Sequence, residues 1–423
     1  MRVFAVTHRV PYPPNKGEKI RSHGLLVPLA SKHEVHLFAL AEPASDVAHE
    51  RALLDAGFAS VTLAPIDLRL RKAVSALFVA TPLPLTLPAF FSPTLAAKIA
   101  LAARSAKPDV AVLESSSTLP YAEMLPRNVR WLMDLVDVDS AKWDAYAKGD
   151  GSVTEHARAI VHVVAEAKRL VFRREGATLA AVERRIVSRA FATLVTTERE
   201  AALLRDVCRS GARGETSGRI EVVPNGVDTV KFAPVTPPAH DARPRRIVFF
   251  GAMDYDANVD AARWFADAVL PRVRERAPDV VFVIAGSNPA PEVRSLARTG
   301  EIEVTGFLED IRPTVQSALV CVAPLRVARG VQNKILEAMA MGVPVVTTVA
   351  AAGGVEGHTP ESLRVAEDAS AMAEAVLALL ADEGARTRQA AAARKLVVAR
   401  YGWAPRAAKL ESLLEEAAAA SRA

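Results

Sequence analysis

The sequence predicts an α/β protein made of two doubly wound parallel-sheet domains in series, facing a cleft. Three observations carry that expectation. Short apolar strands alternate with helical patterns, which calls for parallel sheets covered by helices on both faces. The alternation runs twice, once up to about residue 200 and again from about 245. The stretch between is rich in Gly, Ser and Pro, and places a linker around 228–244. A chain of 423 residues, half of them apolar, is long enough for two cores. The expected domains are 1–227 and 228–403.

Taken in order, RVFAVT, HEVHLFAL, DVAVLES, RWLMDLVD and FATLVTT read as the strands of the first half. EKIRSHGLLVPLAS reads as a helix between the first two, and about 153–190 as a long charged helix. RRIVFFG, VVFVIAG, IEVTG, VCVAPL and PVVTT read as the strands of the second half. The tail YGWAPRAAKLESLLEEAAAA has the pattern of an amphipathic helix. Two such domains place ligands at the carboxyl ends of their strands. No G-x-G-x-x-G follows either first strand, which disfavours a nicotinamide dehydrogenase.

The charge balance is mildly basic, +5 with pI near 9.2. That suits phosphate-bearing ligands or an anionic membrane surface. Aromatic residues are only 5%, and no basic-aromatic motif points to nucleic acid. Cys208 and Cys321 stand alone, the pattern of a reducing, cytoplasmic compartment. The nine His are scattered, with no His-x-x-x-His pair on a helix. The opening MRVFAVTHRV reads as a first buried strand and not as a signal peptide. Residues 69–91 carry no charge from Val74 to Phe91, but Pro82, Pro84 and Pro88 make a poor membrane span. Two readings stay open for this segment. It is a buried loop-helix insertion, or an interfacial patch with Arg69, Arg71 and Lys72 facing lipid headgroups.

Four motifs carry possible chemistry. In ARGVQNKILEAMAMGVPVV, a turn at Gly330 leads into a helix beginning VQNK, through Val331, Gln332, Asn333 and Lys334. Its first-turn N–H groups and the Lys334 charge suit a phosphate, and Glu337 on the same face suits two vicinal hydroxyls. The bland alternative is a structural helix with an i, i+3 salt bridge. In EVVPNGVDTVKF, a strand enters a sharp Pro-Asn-Gly turn that Asn225 and Gly226 tolerate, with Asp228 and Phe232 following. In HRVPYPPNKGEKIRS, which opens on His8, Gly17 begins a helix near Lys16, Lys19 and Arg21; the bland reading is a loop with a solvated basic rim. In RWLMDLVDVDSAKWDAYA, Asp134, Asp137 and Asp139 sit at and beyond a strand end, and Asp139 or Ser140 is a candidate helix cap.

Together these pieces resemble the retaining GT-B glycosyltransferases of family 4, the glycosyl transferases group 1. PNGVD with Phe232, strand IAG, GFLEDI and the helix ending KILEAMAMGVPVV carry the likeness. HRVPYPPNKGEKIRS, DLVDVDSAKWDAYA, FGAMDYDANVDAARWF and RGVQNKILEAMAMGVPVV look like the sugar transferases of exosortase-associated exopolysaccharide clusters. The resemblance implies roles by position. Glu337 would bind ribose, ending a Glu-x7-Glu motif. Gly306, Phe307 and Leu308 would present backbone to the base. Gly17 would approach the donor phosphate, and Asn225, Gly251, Gly286, Gly330, Val331, Gln332 and Asn333 would complete the donor side. Asp137 would sit at the reacting carbon, with His8, Lys16, Lys19 and Asp139 on the acceptor side. Helix 404–423 would pack back on the first domain.

Two departures stand out. Arg329 occupies the first Glu of that motif, and GAMDYDANVD lacks the Arg and Lys that the family uses for the diphosphate. Arg326, Arg329 and Lys334 are the replacement candidates. The implied chemistry is metal-independent, anomer-retaining transfer from a UDP- or GDP-linked sugar to a saccharide acceptor, lipid-linked at the inner membrane face. Two rivals are a GT-B nucleotide-sugar epimerase and a degenerate subunit that binds nucleotide sugar or a partner without turnover.

Overall fold

The computed structural model describes residues 1–422 except 149–159, 211–216, 236–244 and 329, and, for 148 and 160–168, describes the backbone alone. The chain divides into two compact units, one of 1–224 together with 403–422, the other of 225–402.

The first unit is a seven-stranded parallel sheet: β1 Arg2–Thr7, β2 Glu34–Ala41, β3 Ser60–Pro65, β4 Val110–Glu114, β5 Arg130–Val136, β6 Ala192–Val195 and β7 Ile220–Val222. Their order is β3-β2-β1-β4-β5-β6-β7. Successive residues of one strand feed two different cores. Phe4 and Val6 pack with Phe38, Leu40 and Leu113, whereas Val3 and Ala5 pack with Leu37, Ala39 and Val112. Both faces being covered, the strands read as unbroken apolar runs. Helix Trp403–Arg422 closes the second of these cores with Leu410, Leu413 and Leu414. A Cβ at Gly24 would lie 2.2 Å from the Trp403 ring, so helix Gly17–Ala30 needs glycine there to admit the indole.

The second unit repeats the pattern with six parallel strands: β8 Arg245–Phe250, β9 Val280–Ala285, β10 Ile302–Gly306, β11 Val320–Ala323, β12 Val345–Thr348 and β13 Arg364–Ala366, in the order β10-β9-β8-β11-β12-β13. In each unit the order reverses direction beside the first strand, β1/β4 and β8/β11. That switch point is where open α/β sheets bind ligands.

The segment 69–91 is largely buried in its second half and largely exposed in its first. Leu87, Ala89 and the rings of Phe90 and Phe91 join or pack on the first core, while Leu70, Val74, Leu77, Val79 and Leu83 are exposed, Leu77 by 79%. Arg174 donates to the carbonyls of Phe78, Thr81 and Leu83, and Glu175 accepts from the amides of Leu85 and Thr86. The exposed half is thus pinned in place by the long helix Ile160–Arg189.

Candidate functional site

In the second unit, the carboxyl ends of β8, β9 and β11 meet the start of helix Asn333–Ala340. Gly251 follows β8 at φ 153°, and a Cβ there would press on Lys334 Nζ at 3.2 Å and Asn258 Nδ2 at 3.0 Å. Gly286 follows β9 at φ 143°, where a Cβ would fall 1.8 Å from the Gly251 carbonyl oxygen. Only glycine fits either place, which leaves backbone surface where a side chain would stand.

Lys334 donates to Asn258 Oδ1, and its ammonium lies 4.6 Å above the Phe249 ring. Burial pushes its pKa down to about 8, against the opposing pull of Cys321 and Glu337. Burial also lifts Glu337 to about 7, although Lys231 and Lys334 oppose the rise. Neither residue has an ion-pair partner within 4.0 Å among the described residues, so the i, i+3 salt bridge does not form. Both groups therefore hold their charge poorly in the free protein. A ligand bringing anionic oxygens to Lys334 and hydroxyl donors to Glu337 relieves both penalties.

Around them, Asn225 Nδ2 donates to Asn333 Oδ1 at 3.4 Å, tying the Pro-Asn-Gly turn to the helix start. Asp228 caps that turn by accepting from the amides of Val230 and Lys231. Gly330 and Gly306 have positive φ, 58° and 72°, and Gln332 is the N-cap residue. Val331 is buried, Phe307 is 74% exposed and Leu308 packs on the core. Arg326 donates from Nε and Nη2 to the two carboxylate oxygens of Asp260, which takes up its charge. Arg329 lies outside the described residues. Among the described residues expected to face a diphosphate, Lys334 has its ammonium beside the glycine turn. Sequence reasoning missed Asn258 and Lys231. Asn258 was signalled by an amide one turn into the helix after β8, in YDANVD.

In the first unit the switch point is dense with satisfied polar groups. Arg21, fully buried, grips Asp134 with bonds of 2.7 and 3.0 Å and donates to the Val223 carbonyl. Lys19 is buried against Asp46 at 2.7 Å. The expected solvated basic rim is therefore reduced to Lys16, which is exposed beside the equally exposed Gly17. Burial of the other two cations follows from their carboxylate partners on distant segments. Asp137 accepts from Thr196 Oγ1 at 3.0 Å, and burial, with repulsion from Asp139, raises its pKa. Asp139 accepts from Ser116 Oγ at 2.8 Å. The helix Asp139–Lys148 is capped from afar: Glu200 accepts from the Val138 amide and Glu183 from that of Ser140. Glu183 is pushed up to about 8 by burial. Val136 (φ 68°) and Ser115 (φ 73°) hold left-handed backbone at the ends of adjacent strands. Such conformations cost about 1–3 kcal/mol each and collect at ligand sites. His8 lies nearby, its Nδ1 3.7 Å from Glu114 Oε2.

Residues 244–382 match the family model described as glycosyl transferases group 1. A phosphatidyl-myo-inositol mannosyltransferase of Mycolicibacterium smegmatis is 30% identical over 207 residues, 46% of this chain and 51% of that protein. A GDP-mannose-dependent monoacylated alpha-(1-6)-phosphatidylinositol monomannoside mannosyltransferase of Corynebacterium glutamicum is 29% identical, covering 46% of this chain and 56% of its own. The chain thus spans about half the length of these curated relatives. Among solved structures, sucrose-phosphate synthase from Thermosynechococcus elongatus superposes with TM-score 0.69 at 18% identity over 99% of this chain and 100% of that one. Anabaena HepE in complex with UDP-glucose gives 0.64 at 14% identity, covering 98% and 99%. The fold is the one shared by these GT-B glycosyltransferases.

Proposed function

We propose that this chain is a retaining glycosyltransferase that moves a sugar from a nucleotide-sugar donor to a saccharide acceptor carried on a lipid, in exopolysaccharide assembly. The observation that carries the reading is the pair Lys334 and Glu337, both shifted toward neutrality and without ion-pair partners among the described residues, beside the backbone left open by Gly251 and Gly286. A nucleoside diphosphate fits that pair: phosphate oxygens recharge Lys334, and ribose hydroxyls donate to Glu337.

Transfer needs the anomeric carbon–oxygen bond to the diphosphate to break, with the electron pair leaving on phosphate. Lys334 and the start of helix Asn333–Ala340 stabilise that charge, so no metal is required in this reading. The acceptor oxygen bonds to the anomeric carbon on the same face, its proton passing to the departing phosphate. Asp137 orients the acceptor hydroxyl. The mannosyltransferase relatives act on phosphatidylinositol-based acceptors by their names, which supports a lipid-borne acceptor and makes GDP-mannose a donor to set beside UDP-sugars. The exposed Leu70, Leu77 and Leu83 beside Arg69, Arg71 and Lys72 suit contact with the anionic inner membrane face, giving a cytoplasmic, peripheral protein. Flotation with anionic vesicles that is unchanged by Leu77→Asp would remove that part.

The pairing of Arg326 with Asp260 favours a second reading, a subunit that binds nucleotide sugar without turnover. Thermal shift against UDP- and GDP-sugars, followed by transfer to a saccharide acceptor, separates the two. The transferase reading expects one donor to raise the melting temperature, Glu337→Ala to abolish the shift, and product to form. A shift without product leaves the binding subunit; no shift with any nucleotide sinks both.

A further inference from the structure

β1 and β4 are neighbours in register, with Val6 opposite Leu113, so the residues just beyond them meet at the sheet's carboxyl edge. There His8 Nδ1 faces Glu114 Oε2 across 3.7 Å, and both atoms are enclosed without a hydrogen-bond partner. The other carboxylate oxygen is fixed, accepting from Ser22 Oγ at 2.6 Å. The outer ring nitrogen, Nε2, is neither enclosed nor bonded to a described residue. Phe90 stands edge-on to the imidazole at 5.9 Å. Arg9, the next residue, is occupied by Glu18 and Glu42.

These contacts decide how the ring is set. A proton on Nε2 would leave the Nδ1 lone pair pointing at the lone pairs of Glu114. A proton on Nδ1 turns the same approach into a donor–acceptor pair, and a small closure satisfies two buried groups at once. The outer nitrogen then carries a free lone pair on a ring that has Phe90 as its aromatic neighbour. An acceptor atom next to an aromatic ring matches a sugar, which offers hydroxyl donors and an apolar C–H face.

We infer that Glu114 locks His8 with its proton on Nδ1, so that Nε2 receives a hydrogen bond from a hydroxyl of the acceptor saccharide. This assignment rests on the transferase reading above and adds the group that positions the acceptor.

The test has two arms on the full chain. Long-range nitrogen–proton spectra of 15N-histidine-labelled protein, with His8 assigned by its loss in His8→Ala, read the tautomer directly. The expected result is the neutral Nδ1–H form in the wild type and loss of that preference in Glu114→Ala; a wild-type ring with a proton on Nε2, whether neutral or doubly protonated, overturns the lock. Steady-state transfer then reads the role. His8→Ala should lower kcat/KM for the acceptor at least tenfold while the donor Kd stays within twofold, a split that general misfolding would not give. Wild-type-like acceptor kinetics in His8→Ala overturn the assignment and leave the transferase reading standing. Absence of transfer by the wild type, with donor still bound, fails the transferase reading and the hydroxyl role with it, whatever the tautomer.

Discussion

The two units carry the same strand order to their switch points and furnish them in opposite ways. In the first, Arg21 is spent on Asp134, Lys19 on Asp46, and Glu200 and Glu183 on the amides of a helix start. In the second, Lys334 and Glu337 lie three residues apart without pairing, both pushed toward neutrality. One edge is a largely fixed polar scaffold, with strained backbone at Val136 and Ser115 and the His8–Glu114 contact as its open spot; the other keeps its charges for something yet to arrive. A shared topology therefore places a site without dictating whether its polar groups are structural or available.

Breaking the scaffold should give the largest effect. Arg21→Ala strands the Asp134 carboxylate in the core and should cost about 3–5 kcal/mol, a fall of about 10 °C in Tm by calorimetry. A loss below about 1 kcal/mol would mean that the first edge is as loose as the second. On the other side, Gly251→Ala, forced into φ 153° with its methyl against Lys334 Nζ, should cost about 1–3 kcal/mol of stability and weaken nucleotide binding at least tenfold, about 1.4 kcal/mol. Isothermal titration with the nucleoside diphosphate measures it, and unaltered affinity would place the ligand elsewhere.

The smallest effect sharpens the contrast through pH. The folded Glu337 carboxyl titrates near 7 and the unfolded one near its usual 4.5. Between those values the folded state holds the proton that the unfolded state has lost, so this residue lowers stability as pH rises from about 4.5 to 7. Glu337→Gln should therefore stabilise the free protein by about 1 kcal/mol at pH 8, after allowance for the solvent that reaches the side chain, and by nothing at pH 4.5. Urea titrations at both pH values read the difference; an equal change at each would deny the shift.

Much of this was open to sequence reading. The ten strands expected from apolar runs all form, because parallel strands buried on both faces leave an unmistakable stretch of Val, Ile, Leu and Phe. The strand entering the Pro-Asn-Gly turn forms as β7; the two unforeseen strands, β3 and β13, lie at sheet edges, where β13 is only three residues long and β3 mixes Ser, Thr and Pro into its run. Lys334, Glu337 and the strand-ending glycines could be found because one turn of helix and one short loop hold them together. Arg21 could not be placed, since its partner Asp134 is 113 positions away and a basic residue in a polar loop looks solvated. The His8–Glu114 contact was hidden for the same reason, as it depends on which strands become neighbours.

The helix Trp403–Arg422 belongs to the first unit although 225–402 intervene. During synthesis the first unit to leave the ribosome is thus the last that can be finished. Its core face around Val3, Leu25 and Leu37 waits, uncovered, for Leu410, Leu413 and Leu414. The later unit is contiguous and can fold as soon as its own residues are made. The order of completion runs against the order of translation, and a stop a few codons beyond Gly402 would leave the second sheet whole and the first with an open flank.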